Sequence, residues 1–284
     1  MTSIFSSPVV ELEELNNIFI ELTAKNCNQR CKHCYIDFPI SKNTKDFIST
    51  DKVKEAMEDV KDQNVQCVYL TGAEPMTHPD FNTILRLCLK YSSVCICTNA
   101  TFINEKKARF LKKVEEESKN EIIFKLSIDH YNEVKNDDIR GRGSYRQTIS
   151  ALKSLIKYNF NPILSITNYY KEDKKVLISE FRKICEKIGW ETTDFNFQVN
   201  EFYNKYAKST EDFVVTGDNF DCKTGRMLTE MGIYVCPFLA NDHRGRMGSS
   251  FKNYSKKMYL ETNYCQLCAI NKSKMFSINF SSLR

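Results

Sequence analysis

The sequence predicts an α/β protein: a partial barrel of six βα units, followed by a small Cys-rich C-terminal domain containing a β-hairpin. Three observations predict it. Apolar, strand-like runs alternate with amphipathic, helix-like runs between residues 18 and 200. That alternation builds a parallel sheet with helices outside. The rhythm breaks at residues 200–215, after which strands shorten and turns become frequent. Four cysteines then appear, of the 12 in a chain of 284 residues.

Ile18 to Thr23 (IFIELT) reads as the first strand. Thr50 to Gln63 reads as a helix, capped by Ser49 or Thr50, with Val53, Met57 and Val60 at helical spacing. Val65 to Thr71 is a strand, Asp80 to Tyr91 a helix, Val94 to Thr98 a strand and Glu105 to Ser118 a helix. Ile122 to Ile128 is a strand and Ser144 to Tyr158 a helix. Pro162 to Thr167 is a strand, and Asp173 to Ile188 is a helix closed by Gly189. A last strand falls within Thr192 to Val199. The resulting domains are 1–205 for the barrel and 206–284 for the Cys-rich part. In such barrels the chemistry sits at the C-terminal ends of the strands.

Composition narrows the class. Apolar residues at 42% and charged residues at 27% exclude a disordered chain, a collagen and a coiled coil. No stretch of 18 apolar residues exists, so no membrane partner is expected. The net charge of +5 is spread out, and Lys106-Lys107 and Lys112-Lys113 alternate with acids, as on solvated helix faces. A nucleic-acid partner is therefore not expected. Met1 to Val10 lacks the pattern of a secretory signal, which points to the cytoplasm and against a disulfide framework. The cysteines are then buried thiols, metal ligands or redox groups.

Spacing decides. Cys27, Cys31 and Cys34 form CxxxCxxC just after the first strand. Three thiolates on one loop suit a cuboidal iron–sulfur cluster with one iron left open. Zinc is the competing metal, with His33 as a fourth ligand.

This arrangement resembles the radical S-adenosylmethionine (radical SAM) enzymes, whose fold is a partial (β/α)6 TIM barrel. Further segments resemble the family in register over residues 18–170. Thr71-Gly72-Ala73-Glu74-Pro75 is similar to its GGEP loop, with Ala at the second Gly. The family uses that loop to bind the methionine amino group, to which Glu74 would add negative charge. Cys97-Thr98-Asn99-Ala100 resembles its TNG segment. Ser127-Ile128-Asp129-His130 resembles its SIDG segment, with His in place of Gly. Arg140 stands where relatives pair a guanidinium with the methionine carboxylate, and Arg142 is a near alternative. His33 occupies the position of an aromatic residue packed by the adenine, and Tyr35 belongs with this cofactor-binding set. The resemblance implies that bound S-adenosylmethionine is cleaved reductively to a 5′-deoxyadenosyl radical that abstracts hydrogen from substrate. It also implies a flavodoxin or ferredoxin-type electron donor.

The remaining tail cysteines are Cys222, Cys236, Cys265 and Cys268. Arg226 to Val235 reads as a hairpin with a Gly turn that brings Cys222 and Cys236 together. Four thiolates satisfy a tetrahedral zinc or a fully ligated cluster. The pattern resembles the short "Twitch" form of the SPASM domain, which implies a second, auxiliary [4Fe–4S] cluster assisting oxidation. Cys67, Cys88, Cys95, Cys97 and Cys185 read as buried apolar residues, with Cys97 as a candidate hydrogen-atom donor. Asp242 to Arg246 reads as a solvated loop, or else as an anion site.

Only 26 residues precede Cys27, short for a peptide-recognition domain. The first expectation is therefore a radical SAM oxidoreductase or epimerase acting on a small polar metabolite, such as a sugar or aminocyclitol. A ribosomal-peptide maturase and a zinc-binding structural module are the alternatives.

Overall fold

The computed structural model describes residues 9–36, 45–202 and 221–259, with Tyr264, Cys265 and Cys268. The apolar runs become strands covered on both faces, which is why they lack clean alternation. The parallel strands are β2 (Asn17–Thr23), β3 (Cys67–Gly72), β4 (Ser93–Thr98), β5 (Ile122–Ser127), β6 (Ile163–Asn168) and β7 (Phe197–Glu201), following a short β1 (Val9–Glu11). They pair in chain order, each with the next.

The helices between them are α1 (Thr50–Asp59), α2 (Phe81–Cys88), α3 (Glu105–Glu116), α4 (Glu133–Arg140), α5 (Ser144–Lys157) and α6 (Lys174–Lys187). Side-chain caps start four of them: Ser49, Asn104, Asn132 and Asp173 each accept a bond from the first turn. Gly189 closes the α6 end with a φ of +77°. Helix α4 departs from the sequence expectation. Its inward residues are Asn136, Ile139 and Arg140, so it carries no apolar stripe to reveal it.

Strand parity divides the sheet into two faces. Ile18, Ile20, Val68, Leu70, Val94 and Ile96 pack under the helices in the main core. Phe19, Tyr69, Cys95, Ile123, Ile163 and Met227 fill the lower lumen.

The predicted hairpin is present as β8 (Gly225–Thr229) and β9 (Gly232–Tyr234). Strand β8 lies parallel to β2 and continues the barrel sheet past it. Strands β10 (Arg246–Ser250) and β11 (Asn253–Tyr254) extend the sheet antiparallel, while β12 (Lys257–Tyr259) pairs with β1. Among the described residues the ten-stranded sheet stays open, with β11 and β7 at its ends. The 205/206 boundary lies outside the described residues. Among the described residues no helix is long and apolar enough to cross a membrane.

Candidate active site

The cysteine loop leaves the C-terminal end of β2. The Thr23 hydroxyl accepts from the backbone N–H groups of Lys25 and Asn26, turning the chain off the strand. Arg30 Nη1 donates to the carbonyls of Cys27 and Gln29 at 2.7 and 2.8 Å, and Cys34 N donates to Cys31 O at 3.1 Å. Cys27, Cys31 and Cys34 are half-buried and form no disulfide. Burial raises the Cys27 pKa, and it pushes Cys31 up to about 11 against the opposing charge of Arg140. Among the described residues no three ligating side chains are closed into a metal geometry.

The donors around the sulfurs fit thiolates. Gln29 N lies 3.4 Å from Cys27 Sγ, Asn99 Nδ2 lies 3.8 Å from the same atom, and Arg140 Nη1 lies 3.8 Å from Cys31 Sγ. Such donors stabilise sulfur that has lost its proton to a metal. Cys27, Cys31 and Cys34 would hold the cluster here.

The next two loops are locked to this one. Gly72 has a φ of +118°, and a Cβ there would meet Thr23 O at 2.3 Å. The glycine is required by that close approach of β3 to β2. Ala73 needs no such freedom; its N–H donates to Thr23 O at 2.8 Å. Glu74 is buried and faces inward to the protein. Its Oε1 accepts from Thr98 Oγ1 at 2.7 Å and Met76 N at 3.1 Å, and its Oε2 from Asn99 N at 2.8 Å. Burial still pushes its carboxyl up to about 7. Glu74 thus ties the β3 loop to the β4 loop, with Pro75 buried beside it. Asn99 then reaches Asn28 Oδ1 at 2.9 Å, joining the β4 loop to the cysteine loop. Ala100, at the family's Gly position, adopts a φ of +68°.

A charged centre lies beyond β5. Asp129 Oδ2 sits 2.6 Å from His33 Nε2 and 2.6 Å from Arg140 Nε, while its Oδ1 accepts from Thr167 N at 3.0 Å. Burial works to raise this carboxyl; Arg140 and His33 outweigh it and hold it well below the carboxylate range. Arg140 is buried, whereas Arg142 is exposed, which favours Arg140 as the guanidinium of the site. Asn136, which sequence reading missed, accepts from Asp129 N at 3.0 Å and fixes the turn. His130 replaces glycine without a positive φ. Its Nδ1 accepts from Asn132 N and its Nε2 meets Glu172 Oε1 at 2.8 Å. Ser127 is half-buried at the end of β5, paired in register with Ser165.

The tail cysteines pack on the same core. Cys265 is buried, and Cys222, Cys236 and Cys268 are half-buried against it. Burial drives the Cys236 thiol far up, and Cys222 and Cys265 add to the effect. Beside them Arg226 Nε is buried without an acceptor, an orphaned donor that fits an anionic group at this position. An aromatic ladder joins the two cysteine regions. Tyr35, next to Cys34, meets Phe238 edge-on at 5.5 Å, and Phe238 stacks on Tyr264, next to Cys265, at 5.2 Å. The Tyr35 phenol also bonds to Thr71, and burial raises its pKa.

Cys97 faces the upper lumen, opposite Lys125 in register. A hydrogen bond from Cys95 lowers its pKa. Cys67, Cys88, Cys95 and Cys185 are buried. Arg244 pairs with Asp242 at 2.6 Å.

Comparison with known proteins agrees with this geometry. The chain is 29% identical over 183 residues to the antilisterial bacteriocin subtilosin biosynthesis protein AlbA of Bacillus subtilis (strain 168), covering 64% of this chain and 36% of AlbA. It is 23% identical over 259 residues to the mycofactocin maturase MftC of Mycobacterium tuberculosis (strain ATCC 25618 / H37Rv), covering 76% of this chain and 63% of MftC. The chain thus spans less than two thirds of either relative. The fold is shared with anSMEcpe solved with bound AdoMet (TM-score 0.64, 13% identity, 88% of this chain and 81% of that one). It is also shared with Streptococcus suis SuiB bound to precursor peptide SuiA (TM-score 0.61, 16% identity, 82% and 62%). The model of the radical SAM superfamily matches residues 22–178, more than half the chain. With the three-cysteine loop at the mouth of a partial barrel, the chain belongs to the radical SAM superfamily and is an enzyme of that family.

Proposed function

We propose that the protein is a peptide-modifying radical SAM enzyme, a maturase that abstracts a hydrogen atom from a peptide substrate. One observation carries the reading: the curated relatives AlbA and MftC are named for bacteriocin biosynthesis and for maturation of mycofactocin. This moves the weight from the small polar metabolite to the peptide. The earlier expectation rested on the short segment before Cys27, and a recognition element need not lie there. When bound, S-adenosylmethionine and its cluster supply the hydrogen-abstracting radical.

The chain's own residues position that chemistry. Cys27, Cys31 and Cys34 hold the cluster; His33, Tyr35, Gly72 to Pro75, Thr98, Asn99, Ser127, Asp129 and Arg140 form the cofactor's surroundings. Within this set Glu74 and Asp129 act by fixing neighbours, since their oxygens are already engaged. Cys222, Cys236, Cys265 and Cys268 form the site of an auxiliary [4Fe–4S] cluster in a C-terminal unit starting near residue 206. A flavodoxin or ferredoxin-type protein is the proposed donor, and a reducing cytoplasm suits this many cysteines outside disulfides.

The test is to incubate reconstituted protein with S-adenosylmethionine, dithionite and a panel of short precursor peptides in deuterated water. Mass spectrometry reads 5′-deoxyadenosine and the peptide together. Loss of two hydrogens, or uptake of one deuterium, in step with 5′-deoxyadenosine supports the reading. Oxidation of a polyol in the same assay, with every peptide unchanged, would return the small-metabolite reading.

A further inference from the structure

Among the described residues Arg226 is the bulkiest of the side chains fully shut off from solvent. It sits on β8 opposite Ile18 of β2, a polar group among Ile18, Ile20 and Leu228. Its Nη1 donates to Cys222 O at 2.5 Å and Gly225 O at 2.8 Å, and its Nη2 to Lys256 O at 2.9 Å. Its Nε has no acceptor. Among the described residues its polar partners are all backbone carbonyls, one of them that of the tail cysteine Cys222; none is a carboxylate. A guanidinium keeps its charge under these conditions. A buried cation facing only neutral partners is costly, because carbonyl dipoles replace water incompletely.

The missing anions are the neighbouring thiols in deprotonated form. As ligands of an iron–sulfur cluster they carry negative charge. We infer that Arg226 is the resident counter-cation of an auxiliary cluster held by Cys222, Cys236, Cys265 and Cys268, and that its charge sets that cluster's reduction potential. The inference rests on the cluster reading of the tail given above. A four-thiolate cluster is anionic, and more so once reduced. A fixed cation in a low-dielectric site therefore stabilises the reduced form more and raises the potential. Arg226 is a tuning residue and touches no substrate.

Full-length protein carrying Cys27→Ala, Cys31→Ala and Cys34→Ala isolates the tail. Iron, sulfide and zinc are counted after anaerobic reconstitution, and an EPR-monitored titration gives the midpoint potential. The same is done with Arg226→Gln and Arg226→Lys added. About four irons are expected in the parent. Arg226→Gln should disfavour reduction about tenfold, a fall of about 59 mV for a one-electron couple, while Arg226→Lys stays near the parent. Zinc without iron in the parent overturns the cluster reading, and the inference with it. Iron in all three at one potential overturns the inference alone. If Arg226→Gln fails to load, Arg226→Lys decides. Loading with the lysine upholds the charge; loss in both assigns Arg226 to clamping three carbonyls and overturns it.

Discussion

Replacing Asp129 by Asn tests how the active-site loops are held. Asp129 is fully buried, and its two oxygens serve Arg140, His33 and Thr167 N. An asparagine retains one oxygen, enough for Thr167 N. Its amide group then points N–H donors at Arg140, itself a donor and almost fully buried. Removing one partner of a buried ion pair costs about 3–5 kcal/mol, because the other charge is left uncompensated. That is a large part of the ~5–15 kcal/mol that holds a domain folded. With an m value of about 2–3 kcal/mol per M, the urea midpoint should fall by about 1–2.5 M. The pH dependence gives a second check. The Asp129 pKa is depressed on folding, so its contribution is present above the unfolded value of 3.8 and lost as pH falls through the folded one. The gap between wild type and variant should therefore narrow in acid. A midpoint within about 0.3 M of wild type at neutral pH, less than ~1 kcal/mol, would refute the reasoning.

Two further predictions concern the barrel. Gly72→Ala places a methyl 2.3 Å from Thr23 O at a φ of +118°, so strain of about 1–3 kcal/mol adds to a backbone shift of similar cost. Thermal unfolding should show a clear loss of Tm, and an unchanged Tm would mean that the loop relaxes freely. Glu21 is buried in the lumen and its carboxyl is pushed up to about 7, so stability falls as pH rises from the unfolded value of 4.5 through 7. Glu21→Gln keeps an acceptor for Asn241 and should be more stable than wild type at pH 8 by about 3 kcal/mol, with little difference at pH 4; equal denaturant midpoints at both pH values would contradict this.

The parallel strands were legible because burial on both faces makes them continuous apolar runs. The short pair β1 and β12 was not, since three residues per strand carry no period. Helix α4 was invisible for the opposite reason: its inward positions serve the charged centre and not the core. The cysteine loop and the hairpin were legible from spacing and turn chemistry. The role of Glu74 was not, because a carboxylate beside a glycine turn reads as ligand-facing. Only three-dimensional placement shows Thr98, Asn99 and Met76 consuming its oxygens. The pairing of Asp129 with His33 likewise spans 96 positions, beyond any local pattern.

Strand β8 has a consequence for how the chain can be divided. It covers the edge of β2 from Asn17 to Ile20, the strand that delivers the cysteine loop. Cutting the chain after β7 would leave that row of N–H and C=O groups unpaired, and an exposed edge is a template for aggregation. Grafting a foreign tail would require a strand of the same direction and register beside β2. The portable unit is the barrel and hairpin together.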